Sequence, residues 1–222
     1  MSLAIVLLLD RGAIVFTDSR SMASDFSKFE TGVKKSAVLA HNGGYAVVAF
    51  TGDGEINGKL TRDILIESAA RNAKPENLTG SLVEGLKVEF AADVANYAWK
   101  NPTDKEKYLR EAKVVLHILI APHEHCIWEV TPSQSKNHPF PAGANESFSG
   151  VKKIGGFANG YRHWDLNLVR SLLPKCIDDL CTTEPTCGYP VDVTVWRLDD
   201  VPETVRCNDL NTLDSHLAAL PL

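Results

Sequence analysis

Residues 1–20 read MSLAIVLLLDRGAIVFTDSR, and this stretch decides the architecture. Leu3 to Leu9 is an unbroken aliphatic run, the pattern of a strand buried on both faces. Ala13 to Thr17 is a second β-rich run, and Asp10-Arg11-Gly12 between them has turn chemistry, so an antiparallel hairpin is expected. A secretory signal fits poorly. No basic segment precedes the aliphatic run, and Asp-Arg-Gly stands where a small-residue cleavage site should be. The run is also far too short to span a bilayer.

If the hairpin turns about Arg11, Ser2 lies opposite Arg20, Asp18 lies opposite Ala4, and Ser2 and Asp18 share a face. A diagonal pair of about 7–8 Å leaves room for a third group between them. A lysine ammonium would complement the carboxylate there, and Lys34 and Lys35 are the candidates. A one-residue shift of the turn would reverse this parity. Removal of Met1 would expose the α-amine of Ser2, whose reference pKa of about 7.7–8.0 makes it a usable base at neutral pH. That amine can take the proton from Ser2 Oγ while a nearby lysine depresses its pKa and Asp18 orients the lysine. Gly52, ending a fourth strand, allows close approach to backbone N–H donors that would stabilise a tetrahedral intermediate.

Outward from the hairpin, Ser36 to Ala40 and Tyr45 to Thr51 read as a second hairpin. The period then changes: Ile56, Leu60, Ile64, Ile66 and Ala69 or Ala70 predict a helix closed by Lys74-Pro75, and Ser81-Leu82-Val83-Glu84 opens another that runs towards Trp99. Val114 to Ala121 and Cys126 to Thr131 are strand-like, and a shorter strand ends at Ile154-Gly155-Gly156. A third helix is expected from Asp165 to Leu180 with a kink at Pro174, then strands over 191–198 and 204–207. Strands and helices come in blocks, which argues against a doubly wound parallel sheet and favours an α+β class of two face-packed sheets with helices outside.

At 222 residues and 44% hydrophobic, the chain suits one domain over 1–222 with a sizeable core. A net charge of -5 from interspersed acids and bases offers no basic stripe, so nucleic acid is not an expected partner, and neither is a membrane. Five cysteines without a CxxC pair point to free thiols and a cytoplasmic setting.

DRGAIVFTDSR followed by VKKS resembles the start of proteasome β-subunits and their bacterial proteasome-like relatives of the Anbu type, which are N-terminal-nucleophile hydrolases. The resemblance implies a four-layer αββα sandwich of two antiparallel sheets flanked by helices. It implies Ser2 as nucleophile, Asp18 and Arg20 from the D-S-R triplet, Lys35 as activating lysine with Lys34 as the alternative, and Gly52 in FTGDG as the oxyanion glycine. Two stretches depart from the pattern. KIGGFANG has Gly156 where a supporting serine is usual, and EPTCGYPVDVTVW has Glu184 for an aspartate and Cys187 for a serine. A longer acid and a weakly donating thiol alter the groups that would hold a terminal amine. The implied activity is amide hydrolysis of peptide or unfolded-protein substrates inside a homo-oligomeric ring or helical chamber, without a cofactor, and any unfoldase partner is unknown. An inactive proteasome-like scaffold subunit and a small-molecule amidase on the same fold are the alternatives.

Other motifs carry less. GDGEINGKLT lacks the first glycine and the Ser or Thr of a phosphate-binding loop. His123-Glu124-His125-Cys126 has metal-capable side chains but no distant partner pair, so no metal is expected. The cysteines read as buried hydrophobes and the tryptophans as packing residues.

Overall fold

The computed structural model describes residues 3–22, 29–41, 43–71, 74–96, 102–139, 145–150 and 164–220. Strands β1 (Leu3–Leu9) and β2 (Gly12–Asp18) form the opening hairpin. β1 alternates as its sequence demands. Leu3, Ile5 and Leu7 point to one apolar layer and Ala4 and Val6 to another, so nearly every side chain is buried. Burying a leucine or isoleucine fully contributes about 1.5–3 kcal/mol, which makes this strand central to stability.

Short strands β3 (Ser21–Met22) and β4 (Phe29–Glu30) pair with each other, and β5 (Ser36–His41) and β6 (Gly44–Gly52) form the second expected hairpin. A small hairpin, β7 (Glu55–Ile56) and β8 (Lys59–Leu60), precedes helices α1 (Thr61–Arg71), α2 (Pro75–Asn96) and α3 (Pro102–Glu111). Then come β9 (Val114–Ala121), β10 (Glu124–Val130), β11 (Ser135–His138) and β12 (Glu146–Gly150). Helices α4 (Leu166–Ser171) and α5 (Leu173–Thr183), strands β13 (Val191–Arg197) and β14 (Glu203–Cys207), and helix α6 (Leu210–Ala218) complete the order.

Among the described residues two five-stranded sheets result, ordered β12-β1-β2-β13-β14 and β11-β10-β9-β6-β5, and every ladder within them is antiparallel. Val169, Ile177 and Leu213 from α4 to α6 cover the outer face of the first sheet, packing with Ile5, Phe16 and Val193. Ile64, Leu82 and Phe90 from α1 and α2 cover the second, packing with Val48, Phe50 and Leu116. Between the sheets lies a thin layer of mostly small side chains: Ala4, Val6, Ala13, Val15, Val47 and Ala49. The fold is therefore α+β, two antiparallel sheets face to face with helices outside, as the order of elements predicts.

Several details differ from the sequence reading. The first hairpin turns on Asp10 and Arg11, with Leu9 opposite Gly12 and Ala4 opposite Thr17, so pairs sum to 21 and not 22. Gly12 takes φ +156, and a Cβ there would come within 2.3 Å of the Trp196 carbonyl oxygen, so β13 passes too close for any side chain at this position. The apolar residues Ile56 and Leu60 belong to the β7–β8 hairpin, because Gly54 and the positive-φ pair Asn57-Gly58 break the helical pattern. Pro75 opens α2 instead of merely closing α1, since its missing N–H costs nothing at a first helical position. The third expected helix is two, α4 and α5, meeting at Leu172 just before Pro174. Helices α3 and α6 and strand β11 were not anticipated. The short strand expected at 154–156 lies outside the described residues.

Candidate active site

Asp18 ends β2 with its side chain buried against the start of β1. Its Oδ1 accepts from the Leu3 N–H at 2.7 Å and from Lys35 Nζ at 2.9 Å, and its Oδ2 accepts from the Arg20 N–H at 3.1 Å. The last bond is an Asx turn, which is how aspartate stops a strand and bends the chain. Lys35 Nζ also donates to the Arg20 carbonyl oxygen. Asp18 is 0% exposed and Lys35 is 3% exposed, so the ion pair is shielded from water. Burial pushes the Asp18 carboxyl above the usual carboxylate range, and the Lys35 charge and the Leu3 and Arg20 amides oppose that rise. The expected cation is thus Lys35; Lys34 is exposed and lines a surface cleft with Arg62, Asp192 and Arg206.

The hairpin register changes how these groups meet. Continuing the ladder puts Asp18 level with Leu3 rather than Ala4. The carboxylate reaches the strand end through the Leu3 amide and not through a diagonal on a shared face.

The triplet Asp18-Ser19-Arg20 is bound to the loop between α5 and β13. Ser19 N–H donates to Pro190 O at 3.0 Å and its Oγ to the same oxygen at 2.6 Å, while Arg20 Nη1 donates to Pro185 O at 3.1 Å. A Cβ on Gly188 would lie 2.5 Å from the Arg20 guanidinium carbon, so a side chain there would push Arg20 out. On the other side, the Val33 N–H donates to Ser19 O and the Phe50 N–H donates to Lys35 O, which holds Lys35 between the two sheets.

Gly52 closes β6 with φ +103, and a Cβ on it would meet the Lys113 carbonyl oxygen at 2.0 Å. That carbonyl also accepts from the Asp53 N–H at 2.9 Å, and Asp53 Oδ2 accepts from the Lys113 N–H at 2.8 Å. Glycine is required twice over, for the backbone angle and for the close approach.

Glu184 caps α5 through its backbone, its N–H donating to Leu180 O and its carbonyl accepting from the Cys187 N–H. Cys187 is buried with its Sγ 3.8 Å from Cys181 Sγ. The neighbouring thiol, burial and the Asp18 charge all push the Cys187 thiol far up, so it is a neutral, weakly polar group beside the ion pair. Ser2 and Gly156, the other expected site residues, lie outside the described residues.

A second polar cluster escapes the sequence reading. His117, in the inward-facing row of β9, places Nε2 2.7 Å from Ser149 Oγ and Nδ1 3.0 Å from Ser147 Oγ; Thr51 Oγ1 donates to Ser149 Oγ at 2.9 Å. His125 stacks on it with ring centroids 5.5 Å apart. Burial, and secondarily His125, lower His117 to about 3; burial lowers His125 to about 4. The available signal was a histidine inside the apolar run VVLHILIA. His123 to Cys126 form the β9–β10 turn and the start of β10, and among the described residues no three His, Cys, Asp or Glu side chains group to hold a metal ion. No helix among the described residues is long and apolar enough to cross a membrane.

No protein-family profile matches the chain, and no curated protein matches its sequence. Solved structures do match its fold. The helical assembly of the Anbu complex from Pseudomonas aeruginosa superposes with TM-score 0.70 at 16% identity, covering 98% of this chain and 92% of the other. Anbu, described as an ancestral β-subunit, from Yersinia bercovieri gives TM-score 0.68 at 15% identity over 99% and 98%. An Anbu (Gly-1) mutant from Hyphomicrobium sp. strain MC1 gives 0.68 at 13% over 98% and 94%. At these identities the likeness is one of architecture, and the chain has the two-sheet, helix-flanked fold of the proteasome-like Anbu proteins.

Proposed function

We propose that the chain is a proteasome-type amide hydrolase subunit whose nucleophile is Ser2 after removal of Met1. The observation that carries this reading is the buried Asp18–Lys35 pair set against the Leu3 amide, one residue along the chain from Ser2. Such a pair supplies a fixed ammonium at the start of β1. A positive charge there keeps the neighbouring α-amine unprotonated near neutral pH, so the amine can accept the Ser2 Oγ proton. Oγ then attacks the substrate carbonyl, the Gly52 N–H stabilises the oxyanion, and the amine returns its proton to the leaving nitrogen. Water hydrolyses the resulting ester by the same relay. Peptides are the proposed substrates. A homo-oligomer is the proposed state, supported by the helical assembly of the Pseudomonas aeruginosa relative.

Intact-mass analysis before and after an electrophilic peptide probe, with Ser2→Ala alongside, tests the chemistry. The expected result is loss of Met1 and a probe adduct absent from the variant; an unprocessed, unlabelled chain ends the proposal. Elution as a particle far larger than 24.3 kDa is expected on gel filtration, and a monomer at micromolar concentration removes the assembly.

A second reading, a scaffold subunit without activity, is favoured by one observation. Where the family pattern has a serine hydroxyl, Cys187 has a weakly donating thiol, 3.8 Å from Cys181 Sγ. Retention of Met1 in the assembled particle would support this reading over the first.

A further inference from the structure

The layer between the sheets is built mostly from alanine and valine, with Leu119 and Trp196, yet His117 sits in it at 0% exposure with only hydroxyl partners on its ring nitrogens among the described contacts. An apolar side chain would fill this space without polar atoms to satisfy, so the imidazole needs a reason beyond packing. Its geometry supplies one. The two nitrogens span Ser147 and Ser149, which are residues i and i+2 of the same strand, and a ring bridging two such positions fixes both the height and the rotation of that strand.

The strand is β12, an edge strand held within its sheet by β1. In that ladder Ser149 is level with Ala4 and Gly150 with Leu3. On the opposite sheet, Thr51 grips the same Ser149 hydroxyl and is bonded in sequence to Gly52. Thr51 O–H donates to Ser149 Oγ, and because a neutral imidazole has one N–H, one of Ser147 and Ser149 accepts from the His117 ring while the other donates to it. The relay therefore connects the start of β1 to the Gly52 turn across the gap between the sheets. On the other flank of the site the Thr17 and Ser36 hydroxyls face each other across the same gap at 3.4 Å, next to Asp18 and Lys35.

We propose that Ser149, held by both His117 and Thr51, is a positioning residue that sets the spacing between the N-terminal end of β1 and the Gly52 N–H. The effect on turnover rests on the reading of Ser2 and Gly52 given above; the mechanical tie between the strands does not. In a site of this kind a misplacement of the nucleophile by about 1 Å lowers turnover as much as 100-fold.

Thr51→Val removes one hydroxyl at nearly constant shape, and Thr51→Ser keeps it. Hydrogen exchange by mass spectrometry on the purified full chain, together with steady-state kinetics on a peptide substrate, reads both consequences. Thr51→Val is expected to accelerate exchange at least about threefold in peptides covering 3–9 and 145–150. It should lower kcat roughly 10- to 100-fold with KM held, and Thr51→Ser should restore both. Wild-type exchange rates in Thr51→Val overturn the proposal, and so does faster exchange with unchanged kcat, because the relay would then be structural only. Ser149→Ala repeats the test from the other sheet should Thr51→Val fail to fold. A wild-type chain without Ser2-dependent turnover refutes the hydrolase reading instead, and exchange alone then decides whether the relay holds β1.

Discussion

Lys35 Nζ stands 2.9 Å from Asp18 Oδ1, and neither side chain has appreciable contact with water. A pair this buried is held together by mutual dependence more than by net attraction, because each charge alone would be stranded in an apolar surrounding. Lys35→Met should destabilise the chain by about 3–5 kcal/mol, and adding Asp18→Asn should recover at least half of that loss in urea melts. Turnover should be absent from the single and the double variant alike. A double variant no more stable than the single would show that the uncompensated carboxylate is not the source of the loss.

Gly52 and Gly80 provide a matched contrast. Gly52→Ala forces an L residue to φ +103 and drives its Cβ into the Lys113 carbonyl, so a cost of about 1–3 kcal/mol or more follows. Gly80 lies in α2 with nothing within 4 Å of a built Cβ, and Gly80→Ala should stabilise by up to about 1 kcal/mol. Thermal melts should move in opposite directions for the two variants. A neutral Gly52→Ala would mean that the β6–β9 join tolerates a shift.

His117 and His125 make stability fall in mild acid. Their folded values, about 3 and about 4, lie below the unfolded value near 6.5, so between these limits the unfolded chain binds protons that the folded chain does not. The contribution is complete above pH 6.5 and is lost progressively as pH falls towards 4 and then 3. Each histidine costs about 1.4 kcal/mol per pH unit within its window. Urea midpoints measured from pH 7 to pH 5 should drop steeply, and His125→Phe should flatten the slope. An unaltered slope would assign the acid sensitivity to other groups.

Thiol reactivity should follow burial. Cys187 and Cys181 are buried and the Cys187 thiol is pushed far up, whereas Cys126 and Cys176 are half-buried. A maleimide at pH 7 should modify Cys126 or Cys176 first and Cys187 last, and all five should react in denaturant. Peptide mapping at partial modification gives the order, and early labelling of Cys187 would contradict the enclosed site.

The architecture was legible because β1 and β2 carry unbroken apolar runs and the helices follow in blocks. Asp18 followed by Lys35 was legible too, from the D-S-R triplet and the VKKS stretch after it. Choosing between Lys34 and Lys35 was not, since adjacent residues of an extended chain face opposite ways and the parity depends on where β5 starts. The hairpin register was not legible because Asp10-Arg11-Gly12 has turn chemistry at three successive positions; the turn uses the first two, and Gly12 pairs within the ladder, where the Trp196 carbonyl leaves no room for a Cβ. Helix α6 was missed although Asp209 and Thr212 form a reciprocal capping box, because threonine at the third helical position is a weaker signal than glutamate. In the sequence His117 is a lone polar residue in an apolar strand; its partners Ser147 and Ser149, and Thr51 beyond Ser149, lie on two other strands, and no local pattern links them.

The small side chains between the sheets work as a shim. Ala4, Ala13 and Ala49 limit how far apart the two sheets can stand, and Asp18 and Gly52 hang from opposite sheets. Enlarging one of these alanines by a single methyl group or two would therefore adjust the width of the site from a distance without touching any polar group in it. The width of the candidate site is tunable from alanines that take no part in its polar contacts.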